Sequence, residues 1–168
     1  MSSLKILNVG VGGGHEATIL FSDCTHVTFV DIAQGVLKKI KERMPLSEIV
    51  VSSADDLSSI PDDSYDIYIS LRTYNSSFFD IKEAILEARR VLKTNAIIIV
   101  SVANGFLCSE CQCVIPGLII PGTEFVDVYR GIAVATQIQA EFVQAKFKNI
   151  QIWPTNTEIY LTAFVNGD

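Results

Sequence analysis

The feature that most restricts the fold of this chain is an apolar run that breaks into four glycines within five positions. The run extends from Leu4 to Val9, and a helix-like segment, Glu16 to Phe21, comes soon after it. The glycines between them are Gly10, Gly12, Gly13 and Gly14. Because glycine has no Cβ atom, the backbone of such a loop can approach a bound molecule closely. This strand, loop and helix order is typical of sites for nucleotide-like cofactors.

Strand-like and helix-like segments alternate along nearly the whole chain. The predicted strands are Leu4–Val9, His26–Asp31, Ile49–Ser52, Tyr65–Ser70, Ala96–Val102, Asn149–Trp153 and Glu158–Val165. The predicted helices are Glu16–Phe21, Ala33–Arg43, Phe79–Lys93 and Gly131–Phe147, with a further short helix between the third and fourth strands. Such alternation predicts a mostly parallel sheet whose right-handed crossover helices cover both faces.

The end of the chain departs from this alternation. Only Pro154 to Thr157 separate the last two predicted strands, and four residues are too few for a parallel crossover. We therefore predict an α/β fold: a doubly wound, Rossmann-like, mostly parallel seven-stranded sheet with a C-terminal antiparallel hairpin. The 168 residues suit one domain, 1–168. Residues 104–128 lack a clear period, which predicts an irregular lid or interface loop.

Charge and hydropathy exclude several classes of protein. A net charge of −6 disfavours binding to nucleic acid unless a partner supplies a positive surface. No apolar run approaches the roughly 20 residues of a membrane span, and the first residues lack a signal-peptide pattern. We therefore predict a cytoplasmic protein without a membrane partner.

Four cysteines are too few and too unevenly spaced for a disulfide framework: Cys24, Cys108, Cys111 and Cys113. The last three raise the possibility of a zinc site. However, no second pair of cysteines at that spacing supplies a fourth ligand. We therefore expect reduced thiols and no metal.

Four segments should meet at the carboxyl edge of the predicted sheet, where doubly wound sheets bind ligands. They are the glycine loop 10–14, Asp31, the residues 54–56 and the residues 70–72. Asp31 ends the second strand, where a carboxylate can accept hydrogen bonds from both hydroxyls of a ribose. The competing interpretation is that Asp31 caps the helix that begins at Ala33, and one side chain can serve both purposes.

The spacing of the glycines discriminates between cofactors. Loops that bind dinucleotides follow the pattern G-x-G-x-x-G, and the third glycine of that pattern would fall on His15. The spacing here fits G-x-G-x-G instead, which disfavours a nicotinamide cofactor.

Five segments in order resemble the class I S-adenosylmethionine-dependent methyltransferases. They are Ile6–Gly14, Val30–Ala33, Ser53–Leu57, Pro61–Ile67 and Ala88–Lys93. The first two look like the glycine-rich and acidic motifs of that family, and the terminal hairpin would complete its seven-stranded sheet. The resemblance implies S-adenosylmethionine as cofactor.

The resemblance also implies where the cofactor is bound. Asp31 would hold the ribose, the Ala54 amide and the Asp55 carboxylate would contact adenine, and the backbone of Ser70 and Leu71 would face the methionine amino group. The remaining cofactor-binding residues are expected to be Asn8, Gly10, Val11, Gly12, Gly14 and Ile32. Two residues depart from the family pattern: Asn8 replaces an acidic residue, and Ser53 replaces a common Asp.

Residues for the methyl acceptor are harder to identify. Methyl transfer from a sulfonium depends mainly on alignment, and a base is needed only when the acceptor must lose a proton. No catalytic residue is therefore predicted. Tyr74 and Asn75, after the fourth strand, are candidates for orienting the acceptor, although both suit an ordinary surface loop. His15 is a third candidate, although a histidine at a helix start commonly bonds to backbone or water.

Three functions are compatible with these patterns. The first is methyl transfer to a small-molecule acceptor. The second is a methyltransferase-like subunit that binds a cofactor or partner without catalysis, and the third is a nicotinamide-dependent oxidoreductase.

The start of the first strand, at about Leu4, affects what we expect of the acceptor site. We expect this site to be open, or to be covered by residues 104–128, by a homodimer partner or by another subunit.

Overall fold

The computed structural model describes residues 4–24, 26–107, 114–116, 130–155 and 157–166. The strands are β1 (Ile6–Val9), β2 (Val27–Asp31), β3 (Glu48–Val51), β4 (Tyr65–Leu71), β5 (Leu92–Ala103), β6 (Gly105–Leu107), β7 (Val114–Pro116), β8 (Phe147–Pro154) and β9 (Glu158–Val165). The helices are α1 (His15–Leu20), α2 (Gln34–Arg43), α3 (Ile81–Val91) and α4 (Arg130–Gln144).

Seven strands form one sheet in the order β3-β2-β1-β4-β5-β9-β8. The pairs β2–β3, β1–β2, β1–β4 and β4–β5 are parallel. Strand β9 runs antiparallel to both β5 and β8. The predicted fold is confirmed, including the antiparallel hairpin at the end of the chain.

Helices cover both faces of this sheet because alternate strand residues point to opposite sides. On one face, Leu7 and Val9 of β1 belong to a cluster that includes residues of α3 and α4. On the other face, Ile6 belongs to a cluster with Leu37 and Ile40 of α2 and residues of α1. The buried residues of α3 recur at helical spacing: Ala84, Ile85, Ala88 and Val91.

Three details differ from the sequence predictions. Residues 52–64, all of them described, form turns instead of a short helix. Strand β5 begins at Leu92, directly after α3, because Leu92 pairs with Tyr65 before the register shifts. Strand β8 begins at Phe147, where Phe147 pairs with Val165.

The segment predicted to be an irregular loop, 104–128, contains some regular structure. Strands β6 and β7 pair in antiparallel fashion, with Gly105 opposite Pro116. Residues 108–113 and 117–128 lie outside the described residues, as do Cys108, Cys111 and Cys113. The role of this segment as a lid or interface, and the assignment of 1–168 to a single domain, stay predictions.

None of the described helices combines the length and the hydropathy that a membrane crossing would require. The cytoplasmic location stays a prediction.

Candidate functional site

The strand order reverses at β1, which lies between β2 on one side and β4 on the other. In doubly wound sheets the crevice at such a switch point, outside the carboxyl ends of the strands, is where ligands bind. The glycine loop leaves β1 at this place, and Asp31 ends the neighbouring strand. The candidate site is therefore the carboxyl edge of β1, β2 and β4.

The glycine loop has a backbone conformation that favours glycine at three positions. The φ angles are +75° at Gly10, +54° at Gly12 and +74° at Gly14, all in the left-handed region. A Cβ atom at Gly10 would overlap the side chain of Thr73, and one at Gly14 would crowd Ile40. At Gly12 a Cβ atom would meet nothing within 4 Å. Gly10 and Gly14 are thus required by packing, whereas the surface at Gly12 is open.

Asp31 holds the glycine loop against the start of α2. Its Oδ2 atom accepts a hydrogen bond of 2.8 Å from the Val11 amide, and its Oδ1 atom accepts one of 2.8 Å from the Ala33 amide. The residue before α2 is Ala33, so Asp31 binds this turn without being the N-cap. Each carboxylate oxygen can accept more than one hydrogen bond. Asp31 therefore retains the capacity to accept hydrogen bonds from a ligand.

Asn8 carries a buried polar atom without a partner. The residue is 5% exposed and lies between Phe29 and Ile69 in the sheet. Its Nδ2 atom donates a long hydrogen bond of 3.5 Å to the Ile69 carbonyl. Within the described part of the chain, its Oδ1 atom has no hydrogen-bond partner. A buried unsatisfied acceptor costs about 1–3 kcal/mol, so the site is receptive to a donor.

The end of β4 is attached to the glycine loop and to β5. The Ser70 hydroxyl donates to the Val9 carbonyl at 2.8 Å, and the Thr73 hydroxyl lies 3.1 Å from the Gly10 carbonyl. Arg72 has a left-handed φ of +58°, and its amide donates to the Ser101 carbonyl at 2.9 Å. Leu71 is half-buried between these contacts. This segment supports the loop and leaves little polar surface open.

The turn after β3 places Ala54 and Asp55 near the start of α3. Ala54 is buried, and Asp55 Oδ2 accepts a hydrogen bond of 3.0 Å from the Asp80 amide. Burial of Asp55 opposes its charged form, but hydrogen bonds from the Ser53 hydroxyl and the Asp80 amide hold the pKa of this carboxyl below its usual value. One carboxylate oxygen of Asp55 is thus already used within the chain.

Ile32 follows Asp31 and is 58% exposed, so the edge of the site presents an apolar side chain to solvent. His15 is also exposed and is the first residue of α1. Among the described residues, both side chains are thus exposed to solvent.

The structure does not support Tyr74 as a residue that faces an acceptor. Tyr74 is fully buried, with its hydroxyl 3.1 Å from that of Tyr68 and its ring packed edge-on against Phe79. Burial raises the pKa of Tyr74 far above its usual value. Asn75 is exposed, but its Oδ1 atom accepts a 2.7 Å hydrogen bond from the Ala103 amide. Asn75 therefore joins the ends of β4 and β5.

One pair at this edge was missed by sequence reasoning. Arg72 Nε lies 3.6 Å from Glu158 Oε1. Glu158 Oε2 is buried and, among the described residues, has no hydrogen-bond partner. The only signal in the sequence was an acidic residue at the start of an otherwise apolar strand. The antiparallel pairing that sets Glu158 opposite Ala103 is what brings it to the site.

No three potential metal ligands from His, Cys, Asp and Glu come together within the ranges that the structure covers. Cys24 is a free thiol. The expectation that Cys108, Cys111 and Cys113 bind no metal stays a prediction.

Comparison with known families identifies this arrangement. A family model described as a methyltransferase domain matches residues 7–100, which is more than half of the chain. The chain therefore belongs to the class I S-adenosylmethionine-dependent methyltransferase family. A search of curated proteins found no match.

Solved structures show the same fold at low sequence identity. The CurJ carbon methyltransferase has a TM-score of 0.72 at 16% identity, over 98% of this chain and 49% of that one, so this chain spans about half its length. A SAM-dependent methyltransferase from Aquifex aeolicus has a TM-score of 0.70 at 15% identity, over 96% of this chain and 82% of that one. The [4+2]-cyclase SpnF has a TM-score of 0.69 at 15% identity, over 99% of this chain and 76% of that one.

Proposed function

We propose that the carboxyl edge of the sheet binds S-adenosylmethionine and that the protein transfers its methyl group to a small-molecule acceptor. The observation that carries this proposal is the glycine loop held by Asp31, whose two oxygens can each accept a further hydrogen bond. Two free hydroxyls of a ribose are suitable donors for such a carboxylate.

Two further features of the site fit this cofactor. Among the described residues the Asn8 Oδ1 atom has no hydrogen-bond partner; it is a buried acceptor close to the glycine loop, and the cofactor's methionine part carries an amino group that can donate. The exposed Ile32 side chain offers apolar surface for a planar base. The residues proposed to hold the cofactor are Asn8, Gly10, Val11, Gly12, Gly14, Asp31, Ile32, Ala54, Asp55, Ser70 and Leu71.

The chain contributes mainly position. Bound S-adenosylmethionine supplies a methyl group on a positively charged sulfur. The glycine loop allows close approach of backbone atoms, and Asp31 holds that loop in one conformation. A fixed arrangement removes much of the entropic cost of bringing two reactants together. No proton transfer is assigned to a residue.

A small acceptor is favoured by charge. The chain carries 19 acidic and 13 basic residues, and a nucleic acid would be repelled by this excess. His15 and Asn75 are both exposed, and we retain them as candidates for contact with the acceptor. The homodimer or partner subunit proposed to cover the acceptor side can be tested by sedimentation equilibrium with and without cofactor.

Calorimetry with S-adenosylmethionine, S-adenosylhomocysteine and NAD tests the cofactor. Binding of the first two without NAD supports the proposal, and binding of NAD alone would favour the oxidoreductase. The variant Asn8→Leu tests whether the Asn8 side chain contacts the cofactor. It removes an unsatisfied buried acceptor, so the free protein should be as stable or more stable, while cofactor binding weakens. No binding of any of the three compounds by the unmodified protein would refute the proposal.

Transfer itself is tested with a labelled methyl group. The label should appear in a low-mass metabolite fraction and be absent from RNA and protein fractions.

A second candidate, a subunit that binds cofactor without methyl transfer, is favoured by Asn8 in place of an acidic residue. SpnF, a cyclase with the same fold, shows that this fold also occurs outside methyl transfer. Binding of cofactor with no label in any fraction would favour this second candidate.

A further inference from the structure

A cavity of about 350 Å³ lies at the edge of the sheet opposite the glycine loop. The described residues that line it are Arg89, Val143, Lys146, Phe147, Lys148 and Asn166. They come from the last turn of α3, the end of α4, the connection from α4 to β8, the start of β8 and the residue after β9. At this edge of the sheet, Phe147 of β8 pairs with Val165 of β9. At the opposite edge, where the parallel strands have their carboxyl ends, Ala103 of β5 pairs with Glu158 of β9. The cavity is therefore separate from the proposed cofactor site.

Positive charge is concentrated in this cavity. Three of its six described lining residues are cationic and none is acidic, in a chain whose net charge is −6. In the part of the chain that the structure covers, no ion pair within 4.0 Å involves these three cations. The nearby Arg90 and Lys93 instead pair with Asp62 and Asp66. The cavity thus offers cations that no carboxylate of the described chain neutralises.

The partial charges at helix ends explain the positions of only two of these three cations. Arg89 lies in the last turn of α3, and Lys146 follows α4, so each faces the partial negative charge of a helix C-terminus. Lys148 lies in β8 and has no such stabilisation. Its charge adds to the positive potential of the cavity.

The backbone at Lys146 is unusual for lysine. Its φ is +62°, the left-handed conformation that glycine commonly adopts just after a helix. A side chain with a Cβ atom is strained there. Lysine occupies this position although glycine would fit the backbone better. The substitution Lys146→Gly can therefore remove the charge without damaging the fold.

We propose that this cavity binds a small organic phosphate. A phosphate dianion can accept charge-assisted hydrogen bonds from cations that line the same cavity, and the guanidinium of half-buried Arg89 can bind two of its oxygens at once. Val143 is 63% exposed and forms an apolar wall beside the cations. The volume and this apolar wall fit a phosphate that carries an organic group better than inorganic phosphate.

An NMR titration of the full chain tests this site with three probes at constant ionic strength: phenyl phosphate, inorganic phosphate and phenol. The amides of Phe147 and Lys148 should shift saturably with phenyl phosphate and more weakly with inorganic phosphate. Phenol should give no saturable shift. Exposed charge pairs each contribute a factor of about 1.5 to 5 in affinity, so we expect a Kd near the millimolar range. Saturation by phenol with the affinity of phenyl phosphate would overturn the proposal, as would linear shifts with every probe.

Three variants separate a binding role from a structural one. Lys146→Gly should weaken phenyl phosphate binding about threefold while leaving the Tm unchanged or higher. Arg89→Gln should weaken it about tenfold, because a half-buried guanidinium makes two charge-assisted hydrogen bonds. Lys38→Gln, an exposed residue of α2, is the control for loss of one positive charge. An equal effect of Lys38→Gln would show non-specific attraction and refute the site. Titration with S-adenosylhomocysteine should be unaffected by all three, so this test is independent of the proposed function.

Discussion

The two loops that leave the sheet at its switch point use their polar groups in opposite ways. Around the glycine loop, Asn8 Oδ1 is unpartnered within the described chain and Asp31 can accept further hydrogen bonds. After β4, the side chains of Ser70, Thr73 and Asn75 all bond to backbone atoms of this chain. Acceptor atoms thus remain for a ligand around the first loop, whereas these side chains of the second segment are used within the chain.

The largest expected effect is on stability, from Gly10→Ala. The left-handed φ of Gly10 and overlap with Thr73 both oppose a Cβ atom. We expect a loss of about 3 kcal/mol in the free energy of unfolding, measured by urea denaturation. Gly13→Ala is the matched control, because no atom lies within 4 Å of a Cβ there. Similar losses for both variants would contradict the assigned packing role of Gly10.

Asp31→Ala should affect binding most. We expect a loss of at least about 1.5 kcal/mol in the free energy of S-adenosylhomocysteine binding, because the ribose hydroxyls lose a charged acceptor. Calorimetry measures this change, and circular dichroism checks that the fold is intact. Asp31→Asn is the conservative variant and should retain part of the affinity. Unchanged affinity in a folded Asp31→Ala protein would exclude Asp31 from the cofactor site.

Tyr74→Phe tests the supporting loop. It removes the hydroxyl that lies 3.1 Å from the Tyr68 hydroxyl and leaves a buried polar group without that partner. The free energy of unfolding should fall by about 1 kcal/mol, measured by urea denaturation. Cofactor affinity and the KM for the acceptor should not change. A raised KM without loss of stability would restore Tyr74 as an acceptor contact.

The smallest expected effect concerns pH. Glu87 Oε2 accepts a hydrogen bond of 2.7 Å from the Leu57 amide and so holds the turn that carries Ala54 and Asp55. The Arg90 side chain is the main cause of a pKa for Glu87 below its usual 4.5. This carboxylate therefore contributes stability above about pH 4.5, and the contribution is lost as the pH falls through the lowered pKa.

Glu87→Gln should accordingly lower the free energy of unfolding by no more than about 1 kcal/mol at pH 7. The difference from the unmodified protein should shrink below pH 4.5, as measured by urea denaturation across pH. Glu42→Gln, an exposed residue of α2, is the control. If the difference in the free energy of unfolding instead grew as the pH fell, the ionised Glu87 carboxylate would not be stabilising the fold.

Much of the fold was predictable because its signals are local. The alternation of strand-like and helix-like segments and the short connection before Glu158 correctly predicted a mostly parallel sheet that ends in an antiparallel hairpin. The predicted short helix after β3 was wrong. Its residues form turns that hydrogen bonds from Arg90 and to Glu87 hold in place. Those partners are about 30 residues away in the chain, so no local pattern reveals them.

Side-chain direction after β4 was also beyond sequence reasoning. Position alone suggested that Tyr74 faces an acceptor. Instead, the left-handed turn at Arg72 precedes a segment in which Tyr74 enters the core and Asn75 bonds to Ala103. The contacts that decide this outcome lie on β4, on β5 and at Phe79 before α3, and their effect depends on packing.

The sequence alone was enough to place the seven strands of the large sheet, the four helices, the glycine loop and the carboxylate beside it. Periodicity, glycine conformation and chain connectivity act over a few residues, so these features can be read locally. The polar atoms that lack partners among the described residues, and the cations that share a cavity, become apparent only in the folded chain. Asn8 and Lys148 illustrate this, because hydrogen bonding and charge neutralisation depend on residues that the folded sheet brings together from distant parts of the chain.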